Sequence, residues 1–218
     1  AQSSVATSTI TVTPVGDTPV VADITTLEEA QSGLIVLDRA AADGPEVTHF
    51  RISGITNGSL FQADGTTAIN NADYITVAQG QAGVRFTPDT NVTTGASFGV
   101  ESSEDGSSVA AQSSVATSTI TVTPVGDTPV VADMTTFEDT QSGPIVLDRA
   151  AADGSEVTHF RISGITNGSL FQADGTTVIS NGDYITYAEG QAGVRFTPDL
   201  HTNLDGSFGV ESSEDGTS

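Results

Sequence analysis

The chain contains no cysteine, no tryptophan and no lysine. Without cysteine, a disulfide framework and a thiolate-bound zinc are both excluded. Without lysine, the basic residues are six arginines (39, 51, 85, 149, 161 and 195), set against 28 carboxylates for a formal charge of −22. Such an excess repels polyanions, so nucleic acid and anionic lipid are excluded as partners. No apolar run approaches the roughly 20 residues of a membrane-spanning helix, and no signal peptide is visible. Aromatic residues make up only 6% of the chain, while Thr, Gly and Ser are abundant. That composition suits short strands in a sandwich.

What is present is repetition. TSTITVTPVGDTP occurs at 7–19 and unchanged at 117–129. In its first half Ile10 and Val12 alternate with Thr9, Thr11 and Thr13, the period-two pattern of a half-buried strand. In its second half Pro14, Gly16, Asp17 and Pro19 end the strand, because proline lacks the ladder N–H and Gly-Asp turns the chain. The motif reads as a seam between copies of one domain. Residues 1–108 align on 111–218 at a constant offset of 110, without a gap. Only 19 of those 108 pairs differ, and seven of them cluster at 90–96 against 200–206. A period of domain length predicts a tandem array of independent cores.

The expected organisation is a closing strand of a preceding repeat at 1–15, a first repeat at 16–125 and a second at 126–218 that lacks its closing strand. Within the first repeat, Pro19–Ala22 reads as a short strand and Gly33–Leu37 as a second, continuous and buried one. The loop 40–46 turns at Asp43-Gly44. In Glu46–Gly54 the alternation points Phe50 and Ile52 inward and His49 and Arg51 outward. Asn57-Gly58 between apolar segments signals a hairpin. Further strands are expected at Ser59–Phe61, Asp73–Val77 and Gly83–Phe86, with turns at Asp64-Gly65 and Gln79–Gln81. Residues 97–100 and 116–122 form the closing antiparallel pair, joined through 101–108. The fold class is therefore all-β, two tandem sandwiches of about seven or more antiparallel strands each, with no helical period.

An open edge over an exposed core is a template for strand addition. Strand 1–15 of one molecule is accordingly expected to enter domain two of another, giving head-to-tail self-association. Near-identity of the repeats also makes domain swapping easy.

The seam ITVTPVGDTP resembles the ITVTPVNDAP joint of bacterial cadherin-like tandem repeats. The segments AADGxEVTHFRISGITNGSLFQADG and ITxAxGQAGVRFTPD resemble repeats of very large bacterial surface and secreted proteins. The resemblance spans both copies. It implies cadherin-like or immunoglobulin-like sandwiches, an extracellular or cell-surface location, neighbouring repeats as partners, and calcium (Ca2+) at the joints. In the seam, Gly16 and Gly126 stand where that family has Asn, which removes one potential oxygen ligand.

Immunoglobulin-like geometry predicts which carboxylates meet at a joint. Asp127 is expected near Asp153, Glu156, Glu214 and Asp215 of its own domain, and near Glu28, Glu29 and Asp89 of the preceding one. The first joint repeats the lower half of that set with Asp17, Asp43, Glu46, Glu104 and Asp105. Calcium takes roughly six to eight oxygens in a flexible shell, and clustered carboxylates repel unless a cation neutralises them. Affinity on the order of 10⁻⁴–10⁻³ M, as in extracellular modules, is the expectation. The competing reading is acidic loops that are simply solvated.

His49 and His159 lie on an outward strand face with no nucleophile or second acid beside them, so they read as surface histidines; His201 receives no role. Asn57-Gly58-Ser59 and Asn91-Val92-Thr93 match the glycosylation pattern, idle in a bacterial protein. No phosphate loop, nucleophile elbow or zinc pattern is present. The chain is expected to be a non-catalytic structural extender of a large adhesin, stiffened by calcium. The alternative is an adhesion module that binds glycan or a like surface through loop 90–96 or the His49/Arg51 face.

Overall fold

The computed structural model describes residues 3–107 and 112–217. Ala1 and Gln2 of the expected strand 1–15, Ser108 of the expected loop 101–108, and Ser218 lie outside the described residues. The chain divides into two compact units, Ala1–Thr123 and Pro124–Ser218.

Unit 1 contains β1 (Val20–Val21), β2 (Ile24–Leu27), β3 (Leu37–Asp38), β4 (His49–Thr56), β5 (Gly58–Gln62), β6 (Ala68–Ile69), β7 (Tyr74–Thr76), a short helix α1 (Val77–Ala82), β8 (Val84–Pro88), β9 (Ala96–Ser103) and β10 (Ala116–Thr123). A five-stranded sheet runs in the order β2-β10-β9-β4-β7, and a three-stranded one in the order β6-β5-β8; β1 pairs with β3. Between them lies one core, in which Phe50, Ile52, Phe86, Phe98, Val100 and Ile120 are fully buried. The unit is an all-β sandwich, and its pairings are antiparallel except that β2 runs parallel to β10.

The alternation over β4 is as expected. Phe50 and Ile52 are buried, and His49 and Arg51 stand on the outer face. Three other expectations are corrected. Gly33–Leu37 is not a continuous buried run: Ile35 and Leu37 enter the core while Leu34 and Val36 stay about half exposed. The segment makes only an isolated bridge from Ile35 to Val84 before β3.

Asn57-Gly58 does not join a hairpin, since β4 and β5 belong to different sheets. A two-residue hairpin of the Asn-Gly kind needs positive φ at both residues. Here only Asn57 has it, at 57°. Gly58 is required for another reason: a Cβ there would lie 2.4 Å from the Phe86 ring and 2.5 Å from the Thr87 carbonyl. The dipeptide is a corner that carries the chain across the core.

Finally, the expected turn at Gln79–Gln81 is α1. Thr76 accepts from the Gln79 amide, while the Gln79 side chain accepts from the Thr76 amide at 2.8 Å. This reciprocal cap stabilises a single helical turn-and-a-half that period-two reading overlooks.

Unit 2 contains β11 (Val130–Val131), β12 (Leu147–Asp148), β13 (His159–Thr166), β14 (Gly168–Phe171), β15 (Val178–Ile179), β16 (Tyr184–Thr186), α2 (Tyr187–Ala192), β17 (Arg195–Pro198) and β18 (Ser207–Ser213). Its sheets are β16-β13-β18, β15-β14-β17 and the β11-β12 pair. Among the described residues it has no counterpart of β10. Neither does it have one of β2: residues 134–137 form no strand. In unit 1, β2 is hydrogen-bonded into its sheet through β10 alone.

Candidate functional site

The candidate carboxylates of unit 1 lie in loops: Asp17 before β1, Glu28 and Glu29 after β2, Asp43 and Glu46 between β3 and β4, Asp89 after β8, and Glu104 and Asp105 after β9. Gly16 leads into Asp17 so close to β9 that a Cβ would fall 2.9 Å from the Ser102 Cβ, which accounts for glycine at that place. The Asp17 amide donates to Asp43 Oδ1 at 2.8 Å, and the Gly44 amide to Glu46 Oε1 at 2.7 Å. That second bond is the first reason the Glu46 carboxyl is held below its usual range. The Glu104 carbonyl accepts from Thr48 Oγ1 at 2.5 Å, and Asp105 Oδ1 from the Ser107 amide at 2.9 Å. Asp43 Oδ2 and Glu104 Oε1 are buried without a hydrogen-bond partner. Glu28 is buried, its amide bonded to the carbonyl of Thr123 where β10 ends. Glu29 beside it has φ of 58°, and the exposed Asp89 donates its amide to the Asn57 carbonyl.

Unit 2 repeats much of this. Asp153 Oδ1 accepts from the Asp127 amide at 2.8 Å, while its Oδ2 accepts from the Ala150 amide and from Ser212 Oγ. Glu156 accepts from the Gly154 amide, and the Glu214 carbonyl from Thr158 Oγ1. Asp215 is lowered first by the Thr217 hydroxyl and then by the Thr217 amide. The structure thus brings Asp17 to Asp43 and Asp127 to Asp153. Among the described residues, no three His, Asp or Glu side chains stand close enough to share a metal ion.

The His49/Arg51 face is committed to the fold. Thr48 Oγ1 lies 2.7 Å from His49 Nδ1, and Gly106 packs on the imidazole so closely that a Cβ would sit 3.0 Å away. Arg51 donates to Glu101 at 2.6 Å. Arg161 does the same with Glu211 at 2.8 Å. Arg85 and Arg195 pin loops through carbonyls, of Ala63 and Ser32 in one unit and of Ala173 and Ser142 in the other.

A groove of about 820 Å³ in unit 2 lies between residues 131–138 and 202–208, lined also by Ile145 and Phe196. Its counterpart in unit 1 is filled by β10. There Ile120 and Ser118 are fully buried and Val122 is nearly so. The effect on the shared core is direct: Phe98 and Val100 are fully buried, whereas Phe208 and Val210, their copies, are only partly so. Met134 and Phe137 are 48% and 83% exposed. A second recess of about 420 Å³ lies alongside Gly126, Arg161, Tyr184 and 211–215. In unit 1 the residues just before β10 cover that place. The Gln112 amide side chain reaches the Tyr74 hydroxyl at 3.3 Å, and Ser113 Oγ accepts from the Ser102 amide at 2.9 Å.

Sequence reading did not anticipate β2 at Ile24–Leu27 or that its copy at 134–137 forms no strand. The ITTL segment was legible as a strand only through its partner.

No family model matches the chain, and no curated protein does. Among solved structures it is similar to the C-terminal domain of the AgI/II polypeptide BspA of Streptococcus agalactiae, at 12% identity and a TM-score of 0.26, over 89% of this chain and 88% of that one. A second BspA C-terminal structure gives 12% identity and a TM-score of 0.24, with 89% of each chain covered. Likeness at this level carries no argument about fold or function.

Proposed function

We propose that the chain is a non-catalytic extender of a large bacterial surface or secreted adhesin, whose copies add length, with calcium stiffening the joints between them. One observation carries the reading: two near-identical copies repeat the same strand framework, β4, β5 and β7–β9 recurring as β13, β14 and β16–β18, which multiplies a scaffold without adding a new site. Bare contacts between domains are usually small and mobile, so a rod needs its joints held. Calcium is supported by Asp43 Oδ2 and Glu104 Oε1 of unit 1, carboxylate oxygens that are buried and unbonded. The adhesin context rests on the resemblance of the seam and the repeat body.

The test is thermal unfolding and small-angle scattering of the 218-residue chain with millimolar calcium, with magnesium and with chelator. A cation that binds only the folded state raises the unfolding midpoint. Calcium is expected to raise it beyond magnesium and to narrow the distribution of particle dimensions. Equal effects of the two ions would leave the acidic loops as solvated charge and the module as a flexible spacer.

An adhesion role is the second reading. It is favoured by the variable loop of unit 2, where Leu200 and Leu204 are 78% and 64% exposed. Calcium-dependent aggregation of beads coated with the chain, abolished by L200S/L204S, would support it over a purely mechanical part.

A further inference from the structure

We infer that Asp139 and His201 form a latch, tightened by mild acid, that holds the variable loop 199–206 of unit 2 against the turn 136–140. The Asp139 carboxylate grips one residue twice: Oδ1 accepts from the His201 amide at 2.9 Å, and Oδ2 lies 3.4 Å from His201 Nδ1. The first contact needs only an ionised carboxylate. The second becomes an ion pair when the imidazole takes up a proton, and histidine is the side chain whose charge ordinarily changes between about pH 5 and 8. The other charged groups on the two segments are Asp199, Asp205 and Glu138, with Asp133 just before the turn. Beside them β17 carries Arg195, whose guanidinium donates to the carbonyls of Ala173 and Ser142.

Unit 1 supplies the contrast. Glu29 and Asn91 stand at the corresponding positions, and an amide cannot become a cation, so that loop has no acid-dependent tie of this kind. Its anchor is Val92, which packs on the core. The copy of Val92 is Thr202, whose hydroxyl accepts from the Leu204 amide at 3.2 Å. An apolar anchor that no pH change touches is thus exchanged for a polar one that protonation strengthens.

The same bonds seat turn and loop in both units. The Ser142 amide donates to the Phe196 carbonyl at 2.8 Å, as Ser32 does to Phe86. Gln141 Nε2 donates to Thr197 Oγ1 at 3.1 Å, as Gln31 does to Thr87 at 3.2 Å. The turn closes through the Thr140 amide and the Phe137 carbonyl, and the loop through the Thr202 amide and the Asp199 carbonyl; unit 1 makes the equivalent bonds, Ala30 to Leu27 and Val92 to Asp89, with β10 in place. The turn is therefore fixed to β17 immediately before the loop begins. What unit 2 adds is the pair of side chains. They hold the loop between Leu200 and Leu204, at positions that are exposed in unit 1 too. With ordinary histidine and carboxyl titration, both contacts are present from about pH 4 to 6; above that the amide bond remains alone, and below it the carboxyl is protonated and both weaken. Exposed ion pairs are modest, so opening of the loop should slow by about two- to five-fold. This inference uses neither calcium nor an adhesive role.

The experiment is amide exchange by NMR on the 218-residue chain at about pH 5.5 and about pH 7.5, each rate divided by the intrinsic rate at that pH. Protection of the amides of 200–204 is expected to be about two- to five-fold higher at the lower pH, while that of 90–94 stays the same. H201N places in unit 2 the residue unit 1 already has, and asparagine accepts the positive φ at 201 and at 139, so H201N and D139N should keep the fold by circular dichroism. D139N retains an acceptor for the His201 amide and removes only the charge. Both variants are expected to lose the pH difference, and in the parent the His201 ring resonances should titrate over the range in which protection changes. Equal protection at the two pH values would overturn the proposal. So would a difference that survives in H201N or D139N, or one of the same size in loop 90–94.

Discussion

Ile120→Ala and Ile10→Ala make the same chemical change in the same local sequence, and the structure assigns them opposite consequences. Ile120 is fully buried, with Ile24 as its neighbour on β2 and Ala96 on β9. Truncating it removes three carbons from the core. At about 0.8 kcal/mol per buried methylene, the transfer part alone is roughly 2.4 kcal/mol. The cavity left behind adds to this, and a buried Ile→Ala falls within about 2–5 kcal/mol. In a domain of about 100 residues each kcal/mol moves the midpoint by about 4–8 °C, so unit 1 should melt at least about 10 °C lower. Ile10 is 83% exposed, and its truncation in dilute monomer should stay within about 0.5 kcal/mol of the parent. The assay is urea unfolding of dilute protein. Hydrogen exchange would be followed on peptides carrying Ile24 and Leu27 or their counterparts Met134 and Phe137, which report the two units separately. The same peptides should show 24–27 protected and 134–137 exchanging freely. Equal effects of the two substitutions, or a loss below about 1 kcal/mol for Ile120→Ala, would refute the claim that β10 closes unit 1.

Gly58→Ala should destabilise unit 1 by about 1–3 kcal/mol through overpacking, because the new methyl meets the Phe86 ring at 2.4 Å and the Thr87 carbonyl at 2.5 Å; a lowered urea midpoint measures it. Asp64 and Asp174 each hold a tight turn, and the Thr67 and Thr177 hydroxyls, followed by the amides of 66–67 and 176–177, depress both carboxyls to about 2. Depressed folded-state values stabilise the fold above the ordinary carboxyl range and lose that contribution as pH falls from about 4 through about 2. Acid titration of the unfolding midpoint should therefore be less steep in D64N/D174N than in the parent over that window, and an unchanged slope would remove these turns from the account.

Much was legible because it depends on local rules. The period of two within Glu46–Gly54 set Phe50 and Ile52 toward the core and His49 and Arg51 outside. The capping box Thr76-x-x-Gln79 was present in the sequence and was outweighed by the surrounding strand pattern. Asn57-Gly58 misled for a different reason. A hairpin and a corner between sheets use the same pair of residues, and the choice depends on where the next strand finds its partner. The acidic loops were legible as clusters, yet which carboxylates meet was a matter of packing: Asp17 reaches Asp43 only because Gly16 lets the chain lie against β9.

By itself the sequence determined that the chain is a repeat, that each copy is an all-β domain with its own core, and that TSTITVT is able to be a strand. Whether it is one was decided by tertiary structure alone. At 117–123 the segment is a central strand with neighbours on both sides; at 7–13 the same residues are exposed chain. A strand satisfies its backbone and buries its apolar face only against a partner, so identical residues with and without a sheet beside them reach different states.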